Sequence, residues 1–304
     1  MGDVIHALPA AASLKHGLPG SMVDWAIEER WLPLLEGNPY LDRVVPIDRK
    51  TFRGMRRAWS DLRSTPYDLA VDFQGLIKSA LIAAIARPER IFGFDRTRER
   101  PAAWFYSRRV RAQAAHVVDQ NLELVAAAGV SNPLRQFPLP EGRPEGTLPE
   151  GPFVLANPLA GWGAKQWPLE YYTALGAMLK RDLGLALVLN APKKISLPDI
   201  VPHVSGIPGL IYATRRAAAV VGLDSGPLHL AAALGKPGVG IYGPTDPARN
   251  GPYGNTIAVL RAPGAVTSYR RLRETGADMR SISPEMVLEA LRERLAQSRA
   301  GEHP

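Results

Sequence analysis

The run Gly222-Leu-Asp-Ser-Gly-Pro-Leu-His-Leu-Ala-Ala-Ala-Leu-Gly-Lys-Pro237 contains a compact helix with both ends marked. Asp224 or Ser225 offers an oxygen to cap its start, Pro227 suits the first turn, and Gly235 with Pro237 stops it. Apolar segments flank it, Ala217–Val221 before and Val239–Tyr242 after, each short enough for a buried strand. A strand, helix and strand of this minimal length form the building block of a parallel sheet. The start of such a helix is an anion site. Its N–H groups lack helical partners, the dipole there is positive, and Gly226 leaves room for a phosphate. Asp224 would repel the anion itself and suits a sugar or ribose hydroxyl beside it. The plainer alternative is that Asp224 and Ser225 only cap the helix and that His229 only packs in its first turn.

The same alternation extends over the rest of the chain and predicts an α/β protein with open, doubly wound sheets. In the first half, strands are expected at Val23–Ile27, Asp42–Ile47, Tyr67–Phe73 and Ile91–Phe94. Helices are expected at Val4–His16, Arg30–Glu36, Phe52–Ser64, Lys78–Ala86 and His116–Ala128. Pro133–Pro152 is rich in proline, glycine and charge, which marks a linker and gives domains 1–150 and 151–304. Beyond it come strands Phe153–Ala156 and Leu185–Leu189, helix Leu169–Leu183, and a last helix from Ser283 to about Gln297. Two places break the pattern. Met1–Pro9 reads as the loop and first turns of a helix with no strand ahead of it, so the first Rossmann-like half is expected to have an unfilled central slot. Between Asn190 and Gly209 the prolines at 192, 198, 202 and 208 leave no room for a full crossover helix.

At 304 residues, with 46% hydrophobic and 22% charged residues, the chain has the size and composition of two globular domains. It has no cysteine, which excludes disulfides and thiolate metal sites and fits a reducing compartment. No apolar run approaches a membrane span, and no secretory signal opens the sequence. The net charge of +8 favours an anionic partner. No helix-turn-helix or RNA-binding signature accompanies it, so nucleic acid is disfavoured. No GxGxxG follows a predicted strand, which argues against a dinucleotide oxidoreductase.

Four constellations carry chemistry. Asp3, ahead of the first helix at the carboxyl edge of a sheet, suits a general base that takes a proton from an attacking hydroxyl, or else a helix cap. In Asn157-Pro-Leu-Ala-Gly-Trp-Gly-Ala-Lys-Gln-Trp-Pro168, Lys165 can neutralise a phosphoryl oxygen in place of a metal ion, or is a surface lysine beside two tryptophans. Gly243–Gly254 brings Thr245 to the same sheet edge, with Asp246 as a turn cap. Finally, Lys50, Arg53, Arg56, Arg57, Lys78, Arg96, Arg98, Arg100, Arg108, Arg109 and Arg111 crowd the N-terminal half among Trp104, Phe105 and Tyr106. That set is a solvated face, or a surface for an amphiphilic anion at a membrane.

Taken in order, MGDVIHALPA, YDLAVDFQGLIKSA, GWGAKQWP, GLDSGPLHLAAALGKP and YGPTDPARNGPYG resemble glycosyltransferase family 9, the ADP-heptose:lipopolysaccharide heptosyltransferases. The likeness covers nearly the whole chain and is greatest to the heptosyltransferase I type. It implies a GT-B fold, two Rossmann-like domains facing across a cleft, and inverting transfer without a metal or other cofactor. The implied reaction moves L-glycero-D-manno-heptose from ADP-heptose to the Kdo region of lipid A, in the cytoplasm at the inner membrane. The likeness also implies Asp3 as base and Lys165 as partner of the donor phosphates. Asp224, Ser225, Gly226, Pro227, His229 and Thr245 complete the expected donor site; Gln74, Lys78, Arg96 and Arg98 are expected on the acceptor side. An acidic residue for the ribose is expected just after Asn190, and none there is assigned. The alternatives are heptosyltransferase II, another transferase of the family, or a non-catalytic nucleotide-binding module.

Overall fold

The computed structural model describes residues 1–268 and 274–301. The chain divides into an N-terminal unit, Asp3–Pro140 with Met1, and a C-terminal unit from Glu141 onward.

In the N-terminal unit, α1 (Gly2–Gly17) buries every residue from Val4 to Leu14, as expected of a helix that is apolar all round. Its one buried hydroxyl, Ser13, donates to the Pro9 carbonyl at 2.6 Å and accepts from the Leu134 amide at 2.8 Å. β1 (Asp24–Glu28) and β2 (Arg43–Ile47) pair in parallel. α2 (Phe52–Arg63) covers them, burying Ala58 and Leu62 against Val45 and Ile47. β3 (Leu69–Asp72) leads into α3 (Ile77–Ile85), and β4 (Arg90–Phe94) and β5 (Arg108–Val110) extend its sheet. α4 (Val117–Ala127) closes the unit and packs Leu122 and Val125 against Ala10 and Leu14 of α1. Among the described residues these strands form a two-stranded and a three-stranded parallel sheet, not one continuous sheet. A groove of about 1040 Å³ runs between them, lined by β1, β3 and the α1 side chains Ala7, Ala11 and Leu14.

The C-terminal unit has one six-stranded parallel sheet. β6 (Phe153–Asn157), α5 (Leu169–Leu183) and β7 (Ala186–Ala191) follow the expected course. The connection from β7 carries no helix and runs straight to β8 (Val201–Val204), an outermost strand with Pro202 opposite Leu189. This strand and α6 (Ile207–Arg216) occupy the region that the prolines make unreadable as local pattern. β9 (Ala219–Leu223), α7 (Gly226–Ala233) and β10 (Gly238–Tyr242) are the strand-helix-strand unit of the opening motif. The short α8 (Pro247–Asn250), β11 (Ile257–Arg261), the short α9 (Ala277–Arg280) and α10 (Pro284–Gly301) complete the unit. The order β11-β10-β9-β6-β7-β8 reverses direction between β6 and β9. Helices α5 and α10 bury Tyr172, Leu175, Leu179, Val287 and Leu291 against the apolar faces of these strands.

Candidate functional site

In an open parallel sheet, ligands bind beyond the carboxyl ends of the strands at the point where strand order reverses. In the C-terminal unit that point lies between β6 and β9, where Asn157 stands opposite Gly222. The chain leaving β6 forms a tight turn at Gly163–Lys165, closed by the Lys165 amide donating to the Trp162 carbonyl at 3.1 Å. Trp167 fixes the end of this loop. Its indole N–H donates to the Ile282 carbonyl at 2.8 Å, and its ring meets Tyr172 edge-on at 4.8 Å. Lys165 is thereby held inward and is buried, so the surface-lysine alternative fails. Its ammonium lies 4.0 Å from the Trp162 ring centre and donates to the Asp224 carboxylate.

Asp224 therefore does not cap α7; it is the ion-pair partner of Lys165. Ser225 is the N-cap by backbone position, extended at φ −158°, ψ 167°, yet its hydroxyl makes no capping bond. The Ser225 Oγ is buried without a hydrogen-bond partner, and so is Thr245 Oγ1 beyond β10. Two buried hydroxyls without partners at one sheet edge are costly unless a ligand engages them. Gly226 and Pro227 form the first turn of α7, and His229 is buried in the next. Gly222 lets the helix settle on β9, since a Cβ there would come within 3.0 Å of Leu228 Cδ1. Asp246 accepts from the Ala248 amide at 2.9 Å, the turn cap offered for it above. Burial, and then the Asp224 charge, push the Tyr242 phenol up, so it stays neutral.

Sequence reading missed the polar ends of the neighbouring strands. Asn190 Nδ2 donates to Asn157 Oδ1 at 3.0 Å, and Ser205 Oγ donates to Asn190 Oδ1 at 3.0 Å. The available signal was an asparagine closing each of two apolar runs, Phe153–Ala156 and Leu185–Leu189.

In the N-terminal unit, Asp3 lies in the first turn of α1, not in a loop ahead of it. Arg98 grips it with both terminal nitrogens, Nη2 to Oδ1 at 2.8 Å and Nη1 to Oδ2 at 2.9 Å. Burial pushes the Asp3 carboxyl up, but the Arg98 hydrogen bonds and charge outweigh it and hold the carboxyl below its ordinary value. Arg98 is placed by Gly75, whose φ of +65° turns the chain so that its carbonyl accepts from the Glu99 amide at 3.0 Å. A side chain at Gly75 would meet Arg98 N at 3.2 Å. The turn itself hangs on Asp72, which accepts from the Gln74 amide at 2.9 Å, Ser79 Oγ at 2.8 Å and Tyr106 OH at 2.6 Å. Burial first, then the Asp72 charge, raise the Tyr106 phenol. Lys78 reaches Glu28 at 3.4 Å, a carboxylate that Arg30 and Arg49 also hold. Gln74 is among the residues lining the groove, and Arg96 is exposed. Among the described residues no three His, Asp or Glu side chains gather as a cation site.

Comparison with known proteins places the chain in one family. Residues 55–277 match the model of glycosyltransferase family 9 (heptosyltransferase). The chain is 31% identical over 295 residues to lipopolysaccharide heptosyltransferase 1 of Escherichia coli K12, covering 86% of this chain and 91% of that protein. To the Pseudomonas aeruginosa PAO1 protein of the same name it is 29% identical over 291 residues, 84% of this chain and 79% of that one. Among solved structures it is similar to E. coli heptosyltransferase WaaC with ADP, at a TM-score of 0.77, 26% identity and 96% coverage of both chains. It is similar as well to WaaC with ADP-2-deoxy-2-fluoro heptose, at a TM-score of 0.74 and 25% identity, again over 96% of both chains. The fold is thus GT-B, and the chain belongs to glycosyltransferase family 9 as a heptosyltransferase I-like enzyme of lipopolysaccharide core synthesis.

Proposed function

We propose that the enzyme transfers a heptose from ADP-heptose to the Kdo region of a lipid A-type acceptor, inverting the anomeric centre. The carrying observation is the ion pair and the two partnerless hydroxyls at the β6–β9 reversal point. An ammonium, two hydroxyls and the N–H groups opening α7 are the donor set that a diphosphate needs. In this reading Lys165 leaves Asp224 for the diphosphate, which frees Asp224 to accept from a sugar or ribose hydroxyl. As the bond from the anomeric carbon to the diphosphate oxygen breaks, Lys165 and the amides take up the charge on departing ADP. The acceptor hydroxyl forms the new bond and gives its proton to Asp3, with no metal required. Arg98 keeps Asp3 ionised at the cost of basicity. An acceptor phosphate that drew Arg98 away would raise that basicity as the substrate arrives. Lys78, Arg96 and Gln74 would line the acceptor side.

The acceptor is membrane-embedded, and α2 suits the surface of an anionic bilayer. Phe52 is 87% and Trp59 50% exposed, and Arg63 lies 5.2 Å from the Trp59 ring centre. Arg53, Arg56 and Arg57 share the helix, so aromatic anchors and positive charge occur together. We infer a cytoplasmic enzyme bound peripherally to the inner membrane; no described helix is long and apolar enough to cross one.

The test is incubation of the protein with ADP-heptose and Kdo-bearing lipid A, with products read by mass spectrometry. The expected outcome is acceptor gaining one heptose as ADP is released. Binding of ADP with no transfer would make the protein a nucleotide-binding module. Transfer only to an acceptor that already carries a heptose would make it a heptosyltransferase II.

A further inference from the structure

At the carboxyl edge of the C-terminal sheet the hydroxyls of Ser225, Thr245 and Tyr242 are buried with no hydrogen-bond partner among the described residues. The first two belong to the donor set proposed for the diphosphate. Tyr242 is different, because its side chain is packed away from any ligand at 1% exposure. Gly240, two residues earlier and so on the same face of β10, makes the room for it. A Cβ at Gly240 would meet Tyr242 Cε2 at 3.2 Å and Leu228 Cδ2 of α7 at 2.9 Å. The ring is thus held between β10 and α7, and the hydroxyl hydrogen is left free to turn. A buried donor without a partner is unfavourable, so a hydroxyl kept in this place calls for an occasion on which it donates.

The strand register names the acceptor. Ile241 pairs with Leu223 across β10 and β9, so Tyr242 and Asp224 are the next residues at the ends of adjacent strands. The Asp224 charge is near enough to raise the Tyr242 phenol, although burial is the larger cause. In this structure the Asp224 carboxylate is engaged by the Lys165 ammonium. One mostly buried carboxylate therefore has two donors in its surroundings, one engaged and one idle.

We propose that Tyr242 is a positioning residue that takes over Asp224 when Lys165 turns to the donor diphosphate. The inference deepens the donor-site reading and rests on it. Moving the ammonium to a phosphate strips its counter-charge from a carboxylate whose side chain is 15% exposed, and that loss opposes binding. A phenol donating to Asp224 offsets the loss without placing another charge beside the phosphates. It also holds the carboxylate in place while its second oxygen accepts from a sugar or ribose hydroxyl. Phenylalanine at 242 would fill the same space and supply no donor.

The test is a stability cycle of Tyr242→Phe and Lys165→Met, in which methionine keeps the length of the lysine and removes its charge. In the parent the phenol is idle, so Tyr242→Phe should leave Tm unchanged or raise it. In the Lys165→Met protein the phenol is engaged, and the same change should lower Tm by at least about 3 °C. Equal shifts in the two backgrounds, or a fall in the parent, would overturn the proposal, since a packing role lowers Tm in both. Calorimetry with ADP on the Tyr242→Phe protein decides the matter even if Lys165→Met does not fold. Affinity should drop about tenfold while Tm holds; an affinity equal to the parent's would overturn the proposal. The stability cycle uses neither nucleotide nor acceptor. Failure of heptose transfer with ADP still bound therefore counts against the proposed reaction and not against the hand-over.

Discussion

Replacing Lys165 with alanine separates the two tasks assigned to that residue. The pair it forms with Asp224 is mostly out of solvent, with side chains 10% and 15% exposed. Removing one member of a fully buried pair costs about 3–5 kcal/mol, because the other charge is left without compensation. The residual exposure here lets water recover part of that, which sets the expectation at about 2–3 kcal/mol. For a unit of this size that is a fall in Tm of about 4–12 °C. Asp224→Ala strands the lysine instead and should cost a similar amount. The double variant strands neither charge, so it should be more stable than the summed single effects by at least about 1 kcal/mol. ADP affinity, read by calorimetry, should fall about 10–100-fold in Lys165→Ala through loss of a charge-assisted contact. Additive stabilities in the cycle would refute the energetic argument. Unchanged ADP affinity in a folded Lys165→Ala protein would refute the phosphate role.

Further outcomes follow from the N-terminal unit. Asp3→Ala should retain ADP binding and lose transfer, by about 10²–10⁴-fold if its task is proton removal; normal turnover would remove that role. The Asp3 carboxyl is depressed in the folded state, so its contribution to stability is present above the unfolded value of about 3.9 and is lost as pH falls below it. Arg98→Ala leaves burial with its main opponent gone, so the acid limb of the pH–rate profile should move to higher pH; an unmoved limb would dissociate Asp3 from the reaction. Tyr106→Phe removes the 2.6 Å bond to Asp72 and should cost about 1.5–3 kcal/mol in denaturant titrations. A stability equal to the parent's would mean that Asp72 is held without Tyr106. Phe52→Ala with Trp59→Ala should weaken sedimentation with phosphatidylglycerol vesicles, and salt should weaken the parent's binding; equal binding would remove α2 from the membrane surface.

Much of this architecture could be read from local signals. The β6–α5–β7 and β9–α7–β10 segments announce themselves by apolar runs between glycine and proline punctuation, and the Lys165 loop and the Asp224 turn stand out for the same reason. What stayed hidden depends on contacts between distant residues. β8 contains Pro202, which argues against a strand locally yet is tolerated on an outermost one. The Lys165–Asp224 pair joins residues on two separate connections, so no spacing rule links them, and a capping role for Asp224 was the natural local reading. The Asn157–Asn190–Ser205 chain runs across three neighbouring strands and appears only once their register is known. Asp3 reads locally as a loop residue because Met1, which occupies the N-cap position, has no capping side chain to mark the helix start.

The strand order of the C-terminal unit has a consequence for how that unit assembles. Strands β6, β7 and β8 are neighbours in sequence and in space, and so are β9, β10 and β11; among the described strand pairs the β6–β9 seam alone joins distant parts of the chain. Closing a long loop precedes any gain from such a seam, which makes it the slow and late contact of folding. Lys165 and Asp224 stand on opposite sides of it. A chain whose seam is still open lacks the Lys165–Asp224 pair, and a nucleotide bound as proposed above through both residues would by mass action favour molecules whose seam has closed.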